Sequence, residues 1–251
     1  MPGWPQGVGR HALEETDSTN SAALRMARGG EAPPFWLIAG RQSAGRGRRG
    51  RSWSTEPGNF AATHLMRAPV PPGQGALRAF AAGLALRDAL VGLGCPADRL
   101  ALKWPNDLLL DGAKLAGMLL EGGGTHLAIG IGVNLATSPP AEGLEAGALA
   151  PVDLRTATGI ELAPDALLDR LAAEFARREA ELAHAGFAPL RAAWLDHASH
   201  LGRPVTARLP RGEVTGIFET LDETGALVLA VDGGRRVIHA ADIFPMQRGE
   251  A

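Results

Sequence analysis

Lys103 and Lys114 are the only lysines in a chain of 251 residues that carries twenty-three arginines, and one short stretch holds both. An ammonium is a compact, rotatable point charge, whereas a guanidinium is a planar fork that never loses its charge. A chain that uses arginine elsewhere is expected to keep ammonium groups where the former is needed, the alternative being an accident of an Ala- and Arg-rich composition. Lys103-Trp104-Pro105-Asn106-Asp107 sets an ammonium, an amide and a carboxylate at the end of an apolar segment. The same residues would serve in a plain turn with a surface ion pair. Lys114 opens the next segment, however, and with Asp107 and Mg²⁺ the two lysines would form an electrostatic clamp for polyphosphate chemistry. Asparagine is equally sparse: of Asn20, Asn59, Asn106 and Asn134, the first follows Ser18-Thr19 and the last ends Gly130-Ile131-Gly132-Val133-Asn134.

A second unusual segment is Gln42-Ser43-Ala44-Gly45-Arg46-Gly47-Arg48-Arg49-Gly50-Arg51-Ser52-Trp53. Four arginines among three glycines repel one another, while glycine lets backbone N–H groups approach anionic oxygens and arginine adds bidentate forks. The segment reads as a flexible loop that orders around a phosphate or carboxylate, with Trp53 free to stack on a flat base. A solvated basic loop and an RNA-binding arm share this composition. The spacing lacks the Gly-Lys-Ser/Thr ending of a nucleoside-triphosphate P-loop, so any nucleotide site here is of another kind. Gly117, Gly130 and Gly132 remove side chains where strands would crowd a ligand.

The positioning elements follow from periodicity and punctuation. Residues 1–12 read as a loose lead-in, followed by a short helix that starts among Thr16-Asp17-Ser18-Thr19-Asn20 and ends at Gly29-Gly30. Strands are expected at 35–39, 60–66, 100–104, 107–110, 114–121 and 126–135, with Asp111-Gly112 as a two-residue hairpin turn. Helices are expected at 74–93, 151–158, 164–185 and 187–200, and 136–150 as a long surface connection. Short alternating segments at 205–209, 213–221, 226–231 and 235–239, split by Pro210-Arg211-Gly212 and similar turns, suggest a small antiparallel barrel beginning near Leu201-Gly202. The fold class is α+β: a catalytic domain over 1–201 with a mixed sheet and packed helices, and an all-β domain over 202–251.

At 45% apolar residues the chain can bury a sizeable core, and a net charge of −2 exerts no global pull toward nucleic acid or anionic membrane. Cys95 is the single cysteine, which excludes an internal disulfide and fits the reducing cytoplasm. Neither a signal peptide nor an apolar run of ~18 residues is present, so no membrane association is expected.

Taken in order, Ser18-Thr19-Asn20, the Gln42 to Trp53 segment, Lys103 to Asp107, Lys114-Leu115-Ala116-Gly117 with Glu121, and Gly130 to Leu135 resemble the biotin–protein ligases. The resemblance spans about residues 18 to 135. It implies a class II aminoacyl-tRNA-synthetase-like catalytic domain, a C-terminal SH3-like barrel, and two chemical steps. Biotin attacks the α-phosphate of ATP to give biotinyl-5′-AMP, and a lysine of a biotin carboxyl carrier protein domain then takes the biotinyl group. It further implies that Ser18, Thr19, Asn20 and Gln42 hold biotin and that Gly45, Arg46, Gly47 and Arg48 line the biotin side as a lid. Lys114 would stabilise charge between carboxylate and α-phosphate, with Arg48 as its catalytic partner. Gly117, Gly130 and Gly132 would make room for the bicyclic ring. Arg49, Arg51, Trp53, Lys103, Asn106, Asp107 and Asn134 would serve the nucleotide, with Mg²⁺ as cofactor. Fewer than twenty residues precede Ser18, so no DNA-reading domain is expected; a homodimer is open by resemblance alone. Where the family more often has an unbroken apolar strand, this chain has Asn59 to Met66, with His64 read as a structural histidine.

Lipoate–protein ligase shares the adenylate chemistry and is the nearest alternative; Gln42 with the glycine–arginine run favours biotin. A noncatalytic RNA-associated module would use Arg46 to Arg51 but gives the lysine pair no task.

Overall fold

The computed structural model describes residues 3–68, 73–140, 142, 148–210 and 212–245. Parts of four expected features lie outside them: 1–2 of the lead-in, 141 and 143–147 of the surface connection, Arg211 of a turn, and 246–251 of the C-terminal unit.

The elements run in chain order as β1 (Gly9–Thr16), α1 (Thr19–Arg28), β2 (Phe35–Gln42), β3 (Phe60–Arg67), α2 (Gly73–Ala76) and α3 (Arg78–Gly92). Next come β4 (Leu100–Lys103), β5 (Asp107–Leu110), β6 (Ala113–Gly123), β7 (His126–Val133), α4 (Leu154–Thr158), α5 (Pro164–Ala185) and α6 (Phe187–Leu195). The C-terminal strands are β8 (Pro204–Leu209), β9 (Gly212–Leu221), β10 (Leu227–Val231), β11 (Gly234–Ile238) and β12 (Asp242–Pro245). A seven-stranded sheet has the order β1-β2-β3-β7-β6-β5-β4. Only β1 and β2 are parallel, joined through α1, so the sheet is mixed as expected.

Two expectations need correction, and a third is met in part. The lead-in contains strand β1, an edge strand whose residues are mostly exposed and therefore show no clean apolar alternation. The helix begun at 187 stops at Leu195; the chain then turns and pairs Ala198 with Leu102 at the β4 edge. The C-terminal strands form an antiparallel sheet, order β11-β10-β9-β8-β12, in which β11 and β12 do not pair. Strand β12 was not anticipated, being only four residues long. By contrast, the Asp111-Gly112 turn is present, with φ of 51° and 80° at its two residues as a tight hairpin between right-twisted strands requires.

Alternation in β2, β3 and β7 divides the sheet into two faces. Trp36, Ile38, Phe60, Ala62, Ile129, Ile131 and Val133 point to the back, where α3 and α5 complete the main core. That core continues into the C-terminal sheet through Val205, Phe218 and Ile243. Trp104 is fully buried at the seam, and its indole Nε1 donates to Gly225 O at 3.0 Å. On the front face Phe35, Leu37, Leu65 and Ala128 pack under Ala22 and Ala23 of α1 in a small separate cluster.

Candidate active site

Beyond α1 the front face loses its side chains. Gly132 of β7 is flanked in register by Gly117 of β6 and Ala61 of β3, and Gly130 lies opposite Thr63. A cavity of about 320 Å³ opens over this patch. Its wall takes in Ser18, Thr19, Asn20, Gln42, Arg46, Gly47, Arg48, Arg51, Trp53, Lys103, Asn106, Asp107, Lys114, Gly117, Gly130, Gly132 and Asn134. Two predicted residues are absent from the wall. Gly45 backs the loop, where a Cβ would fall 2.4 Å from Trp53 O; Arg49 turns outward to Arg208 O and Asp242.

The α1 end of the cavity is polar and already ordered. Ser18 is the N-cap residue but makes no side-chain capping bond. Thr19 donates to Gln42 Oε1 from its backbone N–H at 2.8 Å and its hydroxyl at 3.1 Å, and Gln42 Nε2 donates to Thr55 at 3.0 Å. Asn20 is committed to the scaffold: it donates to Leu119 O and Glu121, and accepts from Thr63 at 2.7 Å. Gly130 makes that possible, since a Cβ there would lie 2.5 Å from Asn20 Oδ1. Gly132 does the same for Trp53, whose indole a Cβ would meet at 2.4 Å. These glycines clear space first for the protein's own side chains. Asn134 likewise donates to Val152 O and fixes the segment before α4.

At the other end the β5–β6 hairpin returns Lys114 to Asp107. Strict alternation would send positions 114 and 117 to opposite faces, but the β5–β6 register shifts between Leu108 and Leu109, an irregularity that inserts one residue into β6. Lys114 therefore shares the Gly117 face, with Nζ 2.7 Å from Asp107 Oδ1 and 5.8 Å from the Trp53 ring. The two ammonium groups differ. The Lys103 side chain is 9% exposed and 3.8 Å from Asp107 Oδ2, while that of Lys114 is 33% exposed and faces the cavity. Burial draws the Lys103 pKa below its ordinary value, opposed by Asp107. Asn106 donates to Met118 O and accepts from Arg48.

The glycine–arginine segment is pinned rather than loose. Isolated bridges join Gln42 to Thr55 and Arg46 to Ser52, and Gly47 N donates to Arg51 O at 2.7 Å. A 3₁₀ turn at Arg48–Gly50 places Arg49 at φ 56°. Arg46 reaches Ser21 and Glu121. Burial lowers the Arg48 pKa while Asp242 and Asp107 oppose the shift, so the guanidinium stays charged at the cavity rim. Sequence reasoning missed Asp242 altogether. The available signal was indirect: four clustered guanidiniums need a counter-carboxylate, and none stands in the segment itself.

Comparison with known proteins gives the family. The model of the biotin/lipoate A/B protein ligase family matches residues 13–134, and that of the biotin protein ligase C-terminal domain matches 200–245. A biotin–[acetyl-CoA-carboxylase] ligase from Paracoccus denitrificans is 51% identical over 244 residues, 92% of this chain and 98% of that protein. The chain belongs to the biotin–protein ligase family. In fold it is similar to the biotin protein ligase of Aquifex aeolicus in complex with biotin and ATP, at TM-score 0.82 and 22% identity over 95% of this chain and 99% of that one. The Leishmania major ligase in complex with biotinyl-5-AMP is similar at TM-score 0.65 and 26% identity, over 94% of this chain and all of that one. In this family member the described residues include no group of three or more His, Cys, Asp or Glu side chains able to cage a metal. Asp107 and Asp242 are both paired with cations. Such a donor set would suit Mg²⁺ held chiefly by phosphate oxygens and water. No helix among the described residues is long and apolar enough to cross a membrane.

Proposed function

We propose that this chain activates biotin with ATP and transfers it to a lysine of a biotin carboxyl carrier protein domain of a carboxylase. The observation that carries the reading is the convergence of both lysines and the glycine–arginine segment on one cavity. A biotin carboxylate oxygen attacks the α-phosphorus, the bond to the β-phosphate oxygen breaks, and pyrophosphate leaves. The carrier amine then attacks the activated carbonyl carbon, AMP leaves, and the amine loses its proton.

Neither step requires a protein nucleophile. The demand is to hold two anions together and stabilise the charge that develops between them, which preorganised cations in a water-poor cavity do. Lys114 serves as that group, and Arg48 closes the rim over the intermediate. Ser18, Thr19 and Gln42 face the ureido end, with Asn20 positioning them through the sheet. Lys103, Asn106, Asp107 and Arg51 form the nucleotide side, Trp53 covers a flat ring, and Mg²⁺ on the triphosphate offsets its charge. The wider reading comprises a class II synthetase-like catalytic domain over 1–201, an SH3-like C-terminal domain over 202–251, and a cytoplasmic location.

The test is incubation with ATP, Mg²⁺, biotin and a carrier domain, followed by mass spectrometry of the carrier. A mass gain of one biotinyl group on the carrier lysine is expected. Labelling by lipoate in preference to biotin would overturn the choice of acid, and no acyl transfer would overturn the reading.

A further inference from the structure

Asp242, on the C-terminal strand β12, is the one carboxylate among the described residues paired with any of Arg48, Arg49 and Arg51, and it pairs with all three. Their guanidinium nitrogens lie 3.4, 3.1 and 2.9 Å from it. The Asp242 side chain is only 13% exposed, and Ala241 O accepts further bonds from Arg48 at 3.3 and 3.4 Å. Arg49 bonds Arg208 O on the neighbouring β8. One side of the glycine–arginine segment is thus tied to the C-terminal sheet, with Arg48 also reaching Asn106.

We infer that Asp242 is a positioning residue that holds the arginine lid over the cavity, so that retention of the acyl-adenylate depends on the C-terminal domain. One carboxylate against three guanidiniums is enough to gather the segment yet leaves two positive charges unneutralised. An anionic adenylate in the cavity supplies what is missing, and the lid closes without rebuilding its anchor. Without Asp242 the three like charges, freed from their common partner, repel and the segment swings away. Asp242 reaches the cavity wall, but its carboxylate oxygens are engaged by the three guanidiniums.

The inference rests on the adenylate reading, so its test has one arm that does not. Limited trypsin digestion of the full ligand-free chain reads cleavage after Arg46 to Arg51. Asp242→Asn should speed cleavage there severalfold, while Asp242→Glu keeps the charge and restores most of the protection. In single-turnover assays Asp242→Asn should raise the rate of biotinyl-5′-AMP release about tenfold, as loss of one partner of a shielded charge pair acts mainly on dissociation. The Arg48→Gly/Asp242→Asn double variant should release no faster than Arg48→Gly alone, because both act through one lid. Unchanged cleavage and release in Asp242→Asn, or fully additive effects in the double variant, would overturn the inference. If the parent chain makes no adenylate, the proposed function fails, and the trypsin arm still decides whether Asp242 holds the lid.

Discussion

The two faces of the seven-stranded sheet share every strand and differ in almost every side chain. On the back, Trp36 and His64 meet Phe175 of α5, tilted or edge-on, with ring centroids 4.8 to 5.7 Å apart in the buried core. On the front, beyond the Phe35–Leu37–Leu65 cluster, Ala61, Gly117, Gly130 and Gly132 leave a gap, and Asn20, Trp53 and Lys114 reach into it from other elements. Large residues packed between strands and helices give rigidity; small ones with imported side chains give a cavity whose chemistry is set by whatever reaches it. The comparison teaches that one alternating strand can supply stability and reactivity without either constraining the other.

Substitutions on each face should therefore fail in different assays. The largest effect is expected from Phe175→Ala at the back: a loss of about 3–5 kcal/mol in denaturant unfolding, with activity per folded molecule little altered. A matching loss in catalytic rate would break the division between faces. Lys114→Arg at the front should do the reverse, lowering adenylate formation about 10²-fold, or ~2.7 kcal/mol, with unfolding nearly unchanged. Stopped-flow or pyrophosphate release measures the rate.

His64 sharpens the comparison through pH. Burial depresses its pKa from 6.5 to about 3, and its Nδ1 has no hydrogen-bond partner. Between these values the unfolded chain binds a proton that the folded chain refuses. The contribution is therefore whole above pH 6.5 and erodes as pH falls, by roughly 2 kcal/mol at pH 5. His64→Leu should flatten the dependence of Tm on pH over that range; an unchanged slope would show that His64 does not stay neutral in the fold. The smallest effect is expected from Gly130→Ala. Asn20 is held on three sides and cannot yield to the added methyl, so α1 shifts and biotin affinity falls about tenfold, or ~1.4 kcal/mol, by calorimetry.

Much of this site was legible before any coordinates. The rarity of lysine singled out Lys103 and Lys114, and the glycine–arginine run announced itself by its charge. The Asp111-Gly112 turn was readable because its backbone admits few residue types. What stayed hidden was distant or irregular. Strand β1 is an exposed edge, so it lacks the pattern that burial imposes. The β6 bulge leaves no mark in composition, yet it decides which way Lys114 faces. Asp242 lies nearly two hundred residues from the arginines it holds, in a segment with no motif of its own.

The chain's own order of residues determined which groups carry charge, where the backbone must turn and which family it joins, because each of these is a local property of residue type and spacing. Tertiary structure alone decided that the glycines shelter Asn20 and Trp53, that the two lysines differ in exposure, and that a C-terminal carboxylate restrains the lid. Each of those depends on distances between segments far apart in sequence, and distance across a fold is set by packing.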